Sequence, residues 1–542
     1  MADRGDILIG IDAGTSVIKA VAFDLTGRQL ASSAVLNRYD EGEDGSATQP
    51  MLRTWTDCAE ALRGLGDKIE NLAARTLALA VTGQGDGTWL VGAGDEPVAN
   101  AWLWLDARSA PTVRKLAAGD NERARFEATG TGLNTCQQGS QLAHIAAHHP
   151  ELLARAEAAL HCKDWLYLNL TGVRATDPSE ACFTFGNFRT RAYDDTVIAA
   201  LGLEDYRHLL PEIVDGTKTT QSLTAAAASQ TGLLEGTPVS LGYVDMAMTG
   251  LGAGVHTGDP AAAASTVGST GVHMRAVTPD EVVLNAEGTG YVIALPAPDM
   301  VTQVQTNMAA TLNIDWWLDV AADIAGEFGT SPKRSDLVGH IDGWLSRSDP
   351  GAILYHPYIS AGERGPFVNP DARAGFIGLS SGHRFADLMR AVVEGLGMAA
   401  RDCYAAMGAM PGELRLTGGA ARSKAFRGII SAAVGAPVRI CRREETGAAG
   451  AAMMAAVAQG VYGSMDDCVA EWVTPLLEIP EKPDQALTET YVALYPSYKL
   501  TREALIPVWD GMAKDRPRNR RVDASATPLD TTMTDEQKDE TR

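Results

Sequence analysis

Apolar and polar positions first separate near the amino end, where Ile7, Leu8, Ile9 and Ile11 lead into Asp12, a small polar turn at Gly14-Thr15-Ser16, and a second run from Ile18 to Phe23. Apolar runs joined by a polar turn predict a β-hairpin with both strands at least partly buried. The pattern returns in the second half. There Thr257-Gly258-Asp259-Pro260 predicts a turn, Ala261 to Thr266 a strand, Gly268-Ser269-Thr270-Gly271 a polar turn, and Val272 to Val277 a second strand. A hairpin repeated near the start of each half predicts two related half-domains facing each other, each with a phosphate-binding turn.

Between the hairpins, Trp55 to Leu72 carries apolar residues at helical spacing, and Leu77 to Val81 is a short strand running into Thr82-Gly83-Gln84-Gly85-Asp86-Gly87. Tyr39 to Met51 is acidic and rich in small residues, which predicts a surface loop reaching toward the substrate cleft. Helices are expected over Pro150 to Ala159, from Lys163 to a Gly172 stop, and over Leu201 to Leu210 and Leu223 to Thr231. Pro238 to Leu241 predicts a buried strand that enters Tyr243-Val244-Asp245 ahead of a helix beginning at Met246. Later come a helix from Phe385 to Met407, a strand from Glu413 to Thr417 ending at Gly418-Gly419-Ala420, and a helix from Phe426 to Val434. A strand at Val438 to Cys441 and an Ala-rich helix opened by Glu445-Thr446-Gly447 follow. From Asp515 onward, charge and proline replace periodicity, which predicts a disordered tail. Strands alternating with helices make this an α/β chain.

Several polar groups sit where this pattern exposes them. Gly14 permits close backbone approach, while Thr15 and Ser16 offer amide and hydroxyl donors to phosphate oxygens. Asp12, ending the first strand, is placed to hold a hydrated Mg²⁺ between nucleotide and protein. An ordinary hairpin turn uses the same small residues, so this segment alone leaves both readings open. Gly418-Gly419 between strand and helix presents bare backbone to a purine or ribose, although paired glycines also make plain turns. Gln84 and Asp86, set among glycines, suit a small polar ligand or a simple tight turn. Trp102 and Trp104 beside Asp106 and Arg108 suit a polyhydroxylated chain, whose C–H faces pack on indole while its hydroxyls bind the carboxylate. Core tryptophans with an Asp106–Arg108 ion pair account for the same residues. Asp245, at a strand-to-helix junction, suits a general base and equally a helix N-cap, and the two roles are compatible.

Composition narrows the class. A chain of 542 residues exceeds one core and calls for at least two domains, and 45% hydrophobic residues mark it as globular. A formal charge of −22 argues against nucleic-acid and anionic-membrane partners. The start, Met1 to Asp6, is charged and no long apolar run follows, so neither a signal peptide nor a membrane span is expected and the cytoplasm is the expected compartment. Seven scattered cysteines without a CxxC pair read as buried thiols in a reducing compartment. The histidines form no HExxH, and His148-His149 before Pro150 suit an exposed helix end rather than a metal.

Taken in order, these motifs resemble the FGGY carbohydrate kinases, the family of glycerol, xylulose and ribulose kinases, over roughly Ile7 to Tyr498. The resemblance implies two ribonuclease-H-like domains of the actin-like ATPase kind, 1–254 and 255–510, with an interdomain cleft and a tail at 511–542. It implies ATP contacts at Gly14, Thr15, Ser16 and Lys19, at Gly268, Ser269 and Thr270, and at Gly418, Gly419, Ala420 and Ser423. Mg²⁺ is expected at Asp12 and Asp245, the catalytic base at Asp245, and substrate contacts at Gln84, Asp86, Trp104, Asp106 and Asp245. Met246 stands where the family more often has Gln. The chain lacks the Arg-Glu pair expected of a glycerol kinase and the Met-His-Gly expected of a D-xylulose kinase. Gln84-Gly85-Asp86-Gly87 and Glu444-Glu445-Thr446-Gly447 look closer to the erythritol and L-xylulose branch. Erythritol is the expected substrate, with L-xylulose, another pentulose or glycerol as alternatives and a homodimer as a candidate assembly. Outside enzymology, a non-catalytic actin-like ATPase or sugar sensor shares both phosphate turns, but it needs neither the segment Trp104 to Arg108 nor Asp245.

Overall fold

The computed structural model describes residues 5–257, 262–360 and 362–514. The first half is built on strands β1 (Ile7–Ala13), β2 (Val17–Asp24), β3 (Gln29–Leu36), β4 (Thr76–Gly83), β5 (Thr220–Ser222) and β6 (Pro238–Leu241), in the order β5-β6-β4-β1-β2-β3. The second half is built on β7 (Ala262–Val267), β8 (Gly271–Val277), β9 (Tyr291–Ala294), β10 (Val301–Asn307), β11 (Glu413–Thr417) and β12 (Val438–Ile440), in the order β9-β10-β8-β7-β11-β12. Superimposing β1 on β7 aligns the two: β3-β2-β1 and β10-β8-β7 are antiparallel, and β4-β6 and β11-β12 continue each sheet in parallel. Both expected hairpins are therefore present, and each lies at the centre of its own sheet. The two halves repeat one α/β plan.

The continuous apolar run of β1 follows from burial on both faces. Ile7, Ile9, Ile11 and Ala13 pack with Cys58, Leu62 and Leu65 of helix α1 (Met51–Gly66), while Leu8 faces a second core shared with the carboxy-terminal half. That second core is made largely by helix α2 (Asp245–Ala253) and the Ala-rich helix α3 (Thr446–Ala458), which lies across β1. The contact runs backbone to backbone. A Cβ at Gly10 would come within 1.9 Å of Ala448 O, one at Gly252 within 2.2 Å of Thr446 O, and one at Gly450 within 2.3 Å of Met248 O. Small residues throughout α3 allow this approach, and residues 447–456 are all buried. A helix without a polar face is what such a site requires.

Two expected helices differ. Only Pro150–Leu153 is helical in the first, because Ala158–Leu160 pairs as a strand with Trp89–Val91 and fills the core instead. In the second, only a short 3₁₀ turn forms at Glu204–Leu209. The final helix, Gln485–Lys514, takes in the first four residues of 511–542. The remainder of the expected tail, and Gly258 to Ala261 of the turn and strand before β7, lie outside the described residues.

The close contacts of α3 give a direct stability test. Gly10→Ala is expected to destabilise the protein by about 1–3 kcal/mol through overpacking, whereas Gly428→Ala, at an exposed position of the helix Lys424–Val434 with nothing within 4 Å of the new methyl, should leave stability unchanged or raise it. Thermal unfolding of the two variants beside the parent measures the contrast.

Candidate active site

Parallel pairing of β1 with β4 sets Asp12 beside Thr82 and Ala13 beside Gly83, so the first turn and the Gln84 segment leave the sheet together. Thr15 Oγ1 donates to Gln84 Oε1 at 3.0 Å, and Gln84 Nε2 donates to Gln49 Oε1 at 2.9 Å. Gln49 Nε2 donates to Asn37 Oδ1 at 2.6 Å, and Asn37 Nδ2 returns to Gly14 O at 2.9 Å. The indole of Trp104, 39% exposed, donates to Thr15 Oγ1 at 2.9 Å. A ring of side-chain amides thus locks the first turn to the neighbouring wall. Thr15 spends its hydroxyl proton on Gln84, so its donor toward a phosphate is the backbone amide. Gln49 was hidden in a stretch that reads as loop; it ends a short strand, Ala47–Gln49, and is fully buried.

Carboxyl groups gather around this floor. Asp245 is the first residue of α2, with Val244 in the cap position, and its Oδ1 accepts from Met246 N at 2.7 Å. Burial raises the Asp245 carboxyl to about 7, with the charges of Asp12 and Asp86 adding to the rise and the amides of Met246 and Gly85 opposing it. Asp12 is raised to about 6 by burial, against the pull of Lys19 and with a push from Glu445. Lys19 Nζ lies 2.8 Å from Glu445 Oε2, a pair that joins the first hairpin to the segment opening α3. Asp86, buried and at a left-handed φ of 58°, is raised to about 7 by burial, partly offset by Cys136 and Tyr291. The charges of Asp12 and Asp86 both act on Asp245, which brings the three carboxyl groups into one neighbourhood.

Behind them is a charged network that sequence patterning missed. Lys163 Nζ lies 2.6 Å from Asp164 Oδ1 and 2.5 Å from Asp177 Oδ2, and all three residues are fully buried. His161 Nδ1 is 2.9 Å from Asp164 Oδ2, and its Nε2 is 3.5 Å from Glu180 Oε2. Burial opposes charge on His161, but Glu180 and Asp164 outweigh it and raise the imidazole above its ordinary value. Glu180, on the helix Pro178–Phe185, is raised to about 8 by burial, and its Oε2 accepts from Asp86 N at 3.4 Å. The signal in the sequence was a Lys-Asp pair inside an otherwise apolar helix.

Asp106 is corrected by the structure. It is fully buried, and its oxygens are occupied by the Arg108 guanidinium, with Nη2 at 2.6 Å, and by the backbone N–H groups of Ala47 and Arg108 at 3.0 Å. Arg108 in turn lies 3.5 Å above the buried Trp102 ring. This is the ion-pair alternative, and it braces the strand that carries Gln49.

In the second half, Ser269 and Thr270 are exposed, and Gly268 is half-buried. Ala310 N and Thr311 N donate to Ser269 O and Gly268 O at 2.7 and 2.9 Å, fixing the turn on the start of the helix Thr311–Glu327. Thr266 Oγ1 and Thr417 Oγ1, 2.9 Å apart, tie the end of β7 to the end of β11 just before Gly418. Gly418 has φ 91°, and a Cβ there would lie 2.4 Å from Val267 O, whereas Gly419 has open space around it. Ala420 belongs to the 3₁₀ turn that follows. Ser423 caps the next helix through Phe426 N at 3.0 Å and donates its proton to Asp342, so its hydroxyl is committed within the protein.

Residues 7–252 match the N-terminal domain, and residues 263–459 the C-terminal domain, of the FGGY family of carbohydrate kinases. The chain belongs to this family. It is 67% identical over 517 residues to the erythritol kinase of Brucella abortus (strain 2308), covering 95% of this chain and 99% of that protein. It is 25% identical over 500 residues to the L-xylulose/3-keto-L-gulonate kinase of Escherichia coli (strain K12), covering 91% and 95%. Among solved structures, a ligand-bound xylulose kinase from Lactobacillus acidophilus aligns with TM-score 0.84 at 20% identity over 93% of this chain and 99% of that one. The two-domain α/β plan of this FGGY kinase is thus the one its structural neighbours share.

The buried network makes stability depend on pH. Glu180 titrates near 4.5 in an unfolded chain and near 8 when folded, so its contribution is complete below the first value and is lost as pH rises through the second. The raised His161 acts in the same direction. The melting temperature of the ligand-free protein should therefore fall between about pH 4.5 and about pH 8, and Glu180→Gln should flatten that fall. Calorimetric scans across this range provide the check.

Proposed function

We propose that the protein transfers the γ-phosphoryl group of ATP to a terminal hydroxyl of erythritol, giving erythritol phosphate and ADP. One observation carries the chemistry: Asp245, the first residue of α2, is raised to about 7 by burial with a further push from the charges of Asp12 and Asp86, and at that value a carboxylate can take a proton at neutral pH. The hydroxyl oxygen forms the new bond to phosphorus as the bond to the ADP oxygen breaks, and the hydroxyl proton passes to Asp245. Phosphoryl transfer has a loose transition state, so positioning and charge neutralisation supply much of the acceleration. Erythritol is chosen because a protein named erythritol kinase is 67% identical over 95% of this chain.

Gln84, Asp86 and Trp104 are assigned to the polyol. The amides of Gly14 to Ser16 and of Gly268 to Thr270 are assigned to phosphate oxygens, with Lys19 beside Asp12 on the same wall, and Gly418 to Ala420 to adenosine. Ser423 acts there as the helix cap. Among the described residues no group of three or more His, Cys, Asp or Glu forms a metal cluster. Mg²⁺ is commonly held by one or two carboxylates with water and substrate phosphates, and the half-buried, mutually repelling Asp12 and Asp245 fit that donor set. When bound, the ion neutralises charge on the β- and γ-phosphates. The domains are divided at 1–254 and 255–510. The cytoplasm is the proposed compartment, supported by seven free, buried cysteines and by the absence, among the described residues, of a helix able to cross a membrane.

Asp245→Asn keeps the shape and an oxygen for Met246 N, so kcat should fall by about 10²-fold or more while the melting temperature holds. Steady-state kinetics over erythritol, glycerol, L-xylulose and D-xylulose should give erythritol the highest kcat/KM. Near-parental turnover in Asp245→Asn would remove the base assignment, and a pentulose preferred over erythritol would remove the substrate.

A further inference from the structure

Strand β9 belongs to the carboxy-terminal sheet, yet its first residue reaches the substrate wall of the other half. Tyr291 Oη donates to Asp86 Oδ2 at 3.5 Å and lies 3.4 Å from Cys136 Sγ. The residues flanking Tyr291 are pinned in place: Gly132 N donates to Gly290 O at 2.9 Å, and Val292 N donates to Thr131 Oγ1 at 3.2 Å. Gly290 is required at this entry, because its φ is 85° and a Cβ would lie 2.5 Å from Val304 O. The Tyr291 ring meets Phe183 edge-on, with centroids 5.6 Å apart at 89°. Phe183 is on the helix that carries Glu180, which accepts the Asp86 N–H. Asp86 is therefore held by its backbone from one half of the protein, and its side chain takes a hydrogen bond from Tyr291 of the other half beside one from the Cys136 thiol. Its second oxygen, Oδ1, is buried with no hydrogen-bond partner within the protein.

We propose that Tyr291 is a positioning residue for the polyol: its phenol fixes Asp86 Oδ2 and leaves Oδ1 to accept a substrate hydroxyl. The inference rests on the polyol-kinase reading and adds to it a residue from the carboxy-terminal half. A carboxylate held at one oxygen by a directional donor presents the other in a defined direction, which discriminates among hydroxyl arrangements. A buried acceptor left unmatched by a wrong substrate costs affinity, so selectivity follows from the same contact. The contact sits at the outer limit of a hydrogen bond, and such contacts tighten in substrate complexes.

Tyr291→Phe keeps the ring on Phe183 and removes only the hydroxyl. In the full-length protein it should raise KM for erythritol by about tenfold or more, leave KM for ATP within about twofold, and leave the melting temperature unchanged. The double variant with Asp86→Ala should be no worse than Asp86→Ala alone, because Asp86→Ala already removes the acceptor of the Tyr291 contact. Erythritol binding measured by calorimetry separates this inference from the kinase reading. Parent protein that binds erythritol without phosphorylating it would overturn the kinase reading alone. Equal binding by parent and Tyr291→Phe, or effects that multiply in the double variant, would overturn the role of Tyr291. So would a joint loss of ATP affinity and melting temperature, which would make Tyr291 only a strut between the halves. Parent protein that binds no polyol would overturn both.

Discussion

The structure depends on one contact, the approach of α3 to β1 and α2 at bare backbone distance. Gly10, Gly252 and Gly450 leave no room for a Cβ at three points of this junction. Asp12 lies one residue before the end of β1 and Asp245 begins α2, so the same junction brings two carboxylates from distant parts of the sequence together. It also carries Glu445 to Lys19, pairing the start of α3 with the first hairpin. A looser joint would relieve both the burial that chiefly raises Asp245 toward neutrality and the push from the charges of Asp12 and Asp86. Packing between small residues is therefore upstream of the site's acid–base character.

The wall assigned to the polyol has the opposite construction. It rests on hydrogen bonds rather than on close apolar packing: the amide ring through Gln84, Gln49 and Asn37, and the buried charges from Lys163 to Glu180. Buried polar groups linked in this way fix orientation, at the cost of sensitivity to any partner that is lost. The two kinds of wall suit different ligands. Backbone amides and glycines at the turns offer donors that suit a polyphosphate, and directed side chains suit a set of hydroxyls.

Much of the fold was legible in the sequence because its signals are local. Each hairpin announces itself by apolar runs and a small polar turn, and the repeat of the pattern gave the duplicated plan. Gly418 and Asp245 were legible for the same reason, each standing at a strand end. The Gln49 and Glu180 contacts were not, because their partners are 35 and 94 residues away and neither residue breaks a local pattern. Asp106 misled because a carboxylate beside tryptophans fits both a sugar site and a brace, and only its burial under Arg108 separates them. The helix expected over Pro150 to Ala159 overran into the strand Ala158–Leu160 because a run this short carries no period of its own.

The central claim is that the junction of α3, β1 and α2 assembles a centre that delivers phosphate to a polyol rather than to water. Phosphorus NMR of the purified protein with ATP and erythritol follows the γ-phosphoryl group directly. The account predicts a phosphomonoester on a terminal carbon of erythritol, formed in step with ADP, and little inorganic phosphate. Inorganic phosphate released at the same rate with and without the polyol, and no ester, would contradict it.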